Sequence, residues 1–365
     1  MSRSSCAFFL LAAATLLAAS GSAHAQEKPD NVHFLTADGV KLKGQYYAAP
    51  QKCLATVIML HPIGEGKSSK AIPEWQKLAE SLQKANYSVL TFDFRGHGDS
   101  IEIAAPKDFW SKLPNSTNVK PKGKAVDEID VKDYIKQGSS YLPVLVNDIA
   151  AARAYLDRRN DSIKDCNTSS IIVIGADNGA TLGALWMNAE WNRYRAAYNP
   201  MLGRYVPETR AEGNDIIGAV FLSPTSLLDK RPVSLSTMLN IACKERATAA
   251  AFFVGKEDKK SWELAKALEK NLRVPKSKKH EYIGAVEFET NLTGLKLLTA
   301  KSLKTDEFIT KYLADVVEER NNPWSDHEFD KSFYMWRQPN GMMVPARKKG
   351  DKTLLFDDYG KFISK

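Results

Sequence analysis

Between residues 31 and 318 the hydrophobic positions fall into two kinds of run. Residues 55–60, 87–92, 171–174, 216–222 and 249–254 are short, nearly continuous apolar blocks, which read as strands buried on both faces. Between them lie longer segments with apolar residues at helical spacing: 72–85, with Trp75, Leu78 and Leu82 on one face, then 142–156, 262–272 and 303–318. A last short strand is predicted over 281–284. At the start, residues 32–36 and 40–47 flank Ala37-Asp38-Gly39, and Asp-Gly between two alternating segments predicts a hairpin. Strands alternating with helices imply an α/β protein, with a mostly parallel sheet covered by helices on both faces.

Three stretches break the rhythm. Residues 101–140, after the fourth strand, carry Pro106, Pro114 and Pro121 among mixed charges, an irregular insertion that fits either a lid or a surface excursion. Residues 191–213 read as a second polar excursion. In the tail, 321–365, Phe333-Tyr334-Met335-Trp336-Arg337 and Met342-Met343-Val344 flank Gln338-Pro339-Asn340-Gly341. That pattern predicts a hairpin-like appendage whose aromatics dock onto the main domain. No internal repeat is present.

The first residues follow another logic. Arg3 precedes the apolar run 7–17, and Ala23-His24-Ala25 precedes Gln26, the pattern of a secretory signal peptide with an A-x-A cleavage site. The expectation is therefore export, secreted or periplasmic, with a mature chain starting near Gln26. The organisation that follows is 1–25 signal peptide, 26–320 main domain and 321–365 extension. No later apolar stretch approaches membrane-spanning length.

Composition adds limits. The 365 residues are 44% hydrophobic and 26% charged, ordinary for a globular protein with one large core. Loss of residues 1–25 removes only Arg3, so the formal charge falls from +8 to +7. The basic residues are dispersed and not interleaved with aromatics, which argues against a nucleic-acid partner. Cys53, Cys166 and Cys243 remain after cleavage; none has a His or Cys partner at metal-ligand spacing, so neither a metal nor another cofactor is expected.

Three loops after strands carry the candidate chemistry: His61-Pro62-Ile63-Gly64, Arg95-Gly96-His97-Gly98-Asp99-Ser100 and Gly175-Ala176-Asp177-Asn178-Gly179. In this order and spacing they resemble the α/β-hydrolase superfamily, over roughly residues 31–318. There the third loop is the Gly-x-Ser-x-Gly nucleophile elbow, a sharp strand-to-helix turn. The departure is Asp177, which stands where the family places Ser or Cys. The resemblance implies an oxyanion hole made by the backbone N–H groups of Ile63 and Asn178. It implies an acid at Asp258, from Gly255-Lys256-Glu257-Asp258, with Glu257 in reserve. It also places Cys53 and Cys166 ahead of neighbouring strands, and a disulfide between them is the expectation.

The base breaks the resemblance. The family sets its histidine just past the last strand, and residues 283–289 contain none. His280 precedes that strand and should lie at its opposite end, His61 and His97 belong to loops whose histidines are not the base in the family, so a structural role is expected of each, and His327 lies in the tail. Asp177 itself has two readings. It is a helix cap whose carboxylate receives backbone N–H groups of the elbow helix, or it is a nucleophile of the kind found in haloalkane dehalogenases and epoxide hydrolases. The leading expectation is a degenerate hydrolase that keeps its pocket for an unidentified small-molecule or protein ligand. The alternative is an active hydrolase with Asp177 as nucleophile and a base recruited from elsewhere.

Overall fold

The computed structural model describes residues 28–119, 126–135, 141–160, 162, 165–228, 231–326, 333–338 and 340–345; the segment expected to be a signal peptide, His327 and the end of the tail lie outside them. The strand β1 (Asp30–Leu35) turns at Asp38-Gly39 into β2 (Lys41–Tyr47), as the hairpin pattern predicts. Next come β3 (Thr56–Leu60), α1 (Pro73–Lys84) and β4 (Ser88–Phe92). The described residues of the insertion include the short helices α2 (Pro106–Trp110), α3 (Leu113–Asn118) and α4 (Lys132–Ile135). Then α5 (Val146–Arg159), β5 (Ile171–Ala176) and α6 (Asn178–Trp191) lead to β6 (Arg193–Asn199), β7 (Arg204–Ala211) and β8 (Ile216–Leu222). After a minor ladder, β9 (Leu227–Leu228) with β10 (Arg231–Pro232), and the turn-length α7 (Leu235–Met238), the chain forms β11 (Ala249–Gly255), α8 (Lys259–Leu272), β12 (Ile283–Phe288) and α9 (Thr305–Arg320). The tail ends in β13 (Phe333–Arg337) and β14 (Met343–Pro345).

The main sheet has eight strands in the order β1-β2-β4-β3-β5-β8-β11-β12. β2 meets β4 antiparallel, and every pairing from β4 to β12 is parallel. Because successive side chains on a strand point to opposite faces, each central strand feeds two cores. Ile58, Leu60 and Val173 face Ile149, Leu182, Trp186 and Leu268 of α5, α6 and α8. Val57, Met59, Ile172 and Ile174 face Trp75, Leu78, Ile309 and Leu313 of α1 and α9. That double burial is why these strands read as unbroken apolar runs. Among the described residues no helix is long and apolar enough to cross a membrane.

A second sheet corrects the reading of residues 191–213. They form β6 and β7, and the tail hairpin adds to them in the order β14-β13-β6-β7. The tail docks as its aromatics suggested, with Tyr334 and Trp336 buried and the Arg193 guanidinium over the Tyr334 ring. Exposed faces keep these strands polar, and a buried ionic cluster anchors their roots. Arg153 of α5 reaches Glu190, Glu212 and Asp215, and its bond to Asp215 is 2.6 Å long.

The described part of the insertion packs on the β1–β2 turn. Asp38 in that turn is fully buried and pairs with Arg95 at 2.6 Å; Arg95 also holds Asp148 of α5 at 2.7 Å. Asn115 of α3 donates to Asp38, and Tyr141 donates to Asn115, so the insertion is tied to the same ion cluster.

The disulfide expectation fails. Cys53 and Cys166 do lie ahead of β3 and β5, which are adjacent, but both are free, buried thiols. Each S–H donates to a backbone carbonyl, Cys53 to Ala55 and Cys166 to Leu156, and the Thr56 hydroxyl sits 4.0 Å from one sulfur and 3.3 Å from the other.

Candidate active site

The elbow forms because two glycines let the helix return tightly over the sheet. A Cβ on Gly179 would stand 2.6 Å from the His61 carbonyl oxygen, and one on Gly175 would stand 2.6 Å from the Ala180 Cα. Between them Asp177 takes φ 52° and ψ −123°, a strained conformation for a residue with a side chain, and its N–H donates to the Leu222 carbonyl at 3.0 Å.

The capping expectation for Asp177 is overturned, because its side chain makes no hydrogen bond to the elbow helix. With φ positive, the carboxylate is thrown away from the α6 N–H groups toward the loop after β12. Among the described residues nothing donates a hydrogen bond to it, and it remains half-buried. Burial raises its pKa to about 6; Lys67 opposes the shift and the charge of Asp258 adds to it.

Asp258 is where the loop pattern placed it, at the start of α8, where its carboxylate caps the helix by accepting from the Ser261 N–H at 3.3 Å. Glu257 is exposed beside it. Among the described residues the Asp258 charge is felt at Asp177, and no imidazole hydrogen-bonds to either carboxylate.

The place for a base is filled by backbone. β12 extends to Phe288, past the predicted end of the last strand, so the loop that meets Asp177 is 289–294. At its end Gly294 has φ +53°, donates its N–H to the Ser223 hydroxyl at 2.8 Å, and lies so close to the elbow that a Cβ would be 2.5 Å from both Asp177 carboxylate oxygens. No side chain fits at this position while Asp177 keeps its rotamer.

The oxyanion-hole candidates are brought together, but against one another. The Ile63 N–H donates to the Asn178 Oδ1 at 2.6 Å, and the Asn178 amide donates back to the Ile63 carbonyl at 3.2 Å. The side-chain carbonyl of Asn178 thus occupies the position that a substrate oxyanion would need on that donor. The next N–H, of Gly64, is taken by His97 Nε2 at 3.1 Å.

Both loop histidines are structural braces. His61 Nε2 accepts the Phe94 N–H at 3.2 Å and Nδ1 donates to the Pro62 carbonyl, while His97 Nδ1 donates to the Arg95 carbonyl at 3.0 Å. Acceptance at Nε2 fixes each ring as the neutral Nδ1–H tautomer. Burial agrees, pushing His61 down to about 4 and His97 to about 3. His280 lies at the opposite end of β12, as expected from its position before that strand. Sequence reasoning missed Gly294, Ser223 and Lys67; only the length of β12 would have pointed to the first.

Strand order and elbow define the class: the chain has the α/β-hydrolase fold. No family model matches the sequence, and no curated protein matches it by sequence. Solved structures do match. DcsB, determined with a substrate analogue, is 13% identical over 80% of this chain and 99% of its own, with a TM-score of 0.50. The esterase Pf2001 of Pyrococcus furiosus is 17% identical over 79% of this chain and 91% of its own, with a TM-score of 0.48. An esterase from Rhizomucor miehei is 16% identical over 80% and 84%, with a TM-score of 0.46. At such identities the likeness concerns the fold.

Proposed function

We propose that this is an exported α/β-hydrolase-fold protein that has lost acyl transfer and uses its elbow, if at all, to hold a ligand. The observation that carries the reading is the reciprocal pair between Asn178 and the Ile63 backbone, at 2.6 and 3.2 Å. A tetrahedral oxyanion would have to displace a bond already made. Gly294 supports the same reading, since a glycine pressed against the Asp177 carboxylate leaves no room there for a side-chain base from that loop, and no other described residue hydrogen-bonds to the carboxylate. The test is hydrolysis of p-nitrophenyl acetate and butyrate by the mature chain beginning at Gln26. The expected result is no sustained release above an Asp177→Asn control; multiple turnovers abolished by Asp177→Asn would refute it.

One observation favours a second reading, in which Asp177 is a nucleophile toward alkylating substrates. Its carboxylate is half-buried, accepts no hydrogen bond among the described residues, and has its pKa raised to about 6. Attack of a carboxylate oxygen on a haloalkane carbon would form an alkyl ester and expel halide. Without a base to activate water the ester would persist, so mass spectrometry of the elbow peptide would find one adduct per chain. Release of the corresponding alcohol over many turnovers would show that a base acts there after all.

A further inference from the structure

The edge of the sheet remote from the elbow holds a cavity of about 430 Å³, placed where β8, β11 and β12 begin. The height of the sheet therefore separates it from Asp177, at the carboxyl end of β5. Its apolar wall is Trp191, Ile216 and Ile217, and the cations Arg246, Lys279 and Arg320 line the remainder with one acid, Glu245.

Arg246 and Lys279 are exposed and Arg320 is half-buried, and none of the three is held as the fully buried arginines are. Arg95 is held by Asp38 and Asp148, and Arg153 by Glu190, Glu212 and Asp215 among others. Arg320, the half-buried last residue of α9, has no hydrogen bond or ion pair to its guanidinium among the described residues, and its Nε is buried without a partner. Desolvation accordingly lowers its pKa. Arg246 has only the Trp191 ring, 5.9 Å from its guanidinium carbon, and Lys279 has no carboxylate partner among the described residues. Glu245 is engaged by the Asn240 amide at 2.9 Å. His280 contributes wall and no ligand atom, because its ring nitrogens already pair with the Ser277 hydroxyl and the Lys244 carbonyl, each at 2.9 Å.

Three cations facing one cavity with a single acid leave an unmatched positive field, and a guanidinium removed from water without an acceptor is costly. An anion seated there would supply charge-assisted hydrogen bonds in a partly desolvated setting. We propose that this cavity binds a small organic anion, a phosphate monoester or carboxylate, with its charged group on Arg320, Arg246 and Lys279 and its apolar part against Trp191, Ile216 and Ile217. The site is independent of the elbow and of what the elbow does.

Isothermal titration of the mature chain with phenyl phosphate, benzoate and inorganic phosphate tests this at low and at moderate salt. Saturable one-site binding of phenyl phosphate or benzoate is expected, tighter than that of inorganic phosphate. Arg320→Gln and Arg246→Gln should each weaken it about tenfold, and Asp177→Asn should leave it unchanged. Lys279 is exposed, so Lys279→Gln serves if an arginine variant does not fold, with several-fold weakening expected. Three results would overturn the proposal: no saturable binding of any probe, binding of inorganic phosphate alone, or binding that every folded cavity variant retains. The last would place the anion elsewhere on a chain whose formal charge, without residues 1–25, is +7.

Discussion

Replacing Asp177 by Asn should make the protein more stable, and increasingly so as pH rises. In the folded chain the carboxyl titrates at about 6, whereas its ordinary value is 3.8, so folding favours the protonated form. For an acid whose folded pKa is raised, stability is fullest below 3.8 and is lost as pH climbs toward 6. At about 1.4 kcal/mol per tenfold change, the interval amounts to about 3 kcal/mol, an upper figure because the group is half-buried. Asn has nearly the same shape and no charge to desolvate. Urea denaturation of parent and variant at pH 4.5 and 7.5 gives the measurement. The variant's advantage should grow by about 2 kcal/mol between those two pH values. A difference independent of pH would refute the desolvation account. A difference of opposite sign, with Asn losing ground as pH rises, would mean that the helix dipole holds the ionised carboxylate, which is the capping arrangement the side-chain geometry denies.

Gly294→Ala should destabilise the fold by more than the roughly 1 kcal/mol of a disfavoured backbone angle, because the new Cβ meets the Asp177 carboxylate. In an Asp177→Ala background the penalty should shrink toward that backbone cost, and a double-mutant cycle by denaturation would read the coupling. The buried neutral histidines act in the opposite pH sense to Asp177. With folded values of about 4 for His61 and about 3 for His97, stability present above pH 6.5 is lost as pH falls, and His97→Asn should flatten that acid slope in denaturation midpoints. Asp38→Ala, which leaves the fully buried Arg95 with one carboxylate fewer, should cost about 3–5 kcal/mol by urea denaturation.

The pattern of side chains alone determined the main sheet. Runs such as Ile171–Ala176 and Ile216–Leu222 are apolar at every position because both faces are buried, and such a run has few other stable settings. The elbow was legible from its glycines, Gly175 meeting its own turn at Ala180 and Gly179 the neighbouring strand end at His61. β6 and β7 were not legible, because strands with exposed faces carry Arg, Tyr and Glu and resemble a loop until a tail distant in sequence pairs with them.

The site divides along the same line. Residue identity showed an Asp at the elbow position, where the resemblance implies Ser or Cys, and no histidine in residues 283–289, where the resemblance implies the base. Which atoms those residues face was decided by tertiary structure alone. The torsion at Asp177 turned its carboxylate from the helix to Gly294, and the approach of the His61–Gly64 loop to the elbow brought the Asn178 side chain onto the Ile63 N–H. Hydrogen-bond direction and desolvation depend on distances of a few tenths of an ångström between segments far apart in the chain, and no local pattern of residues encodes them.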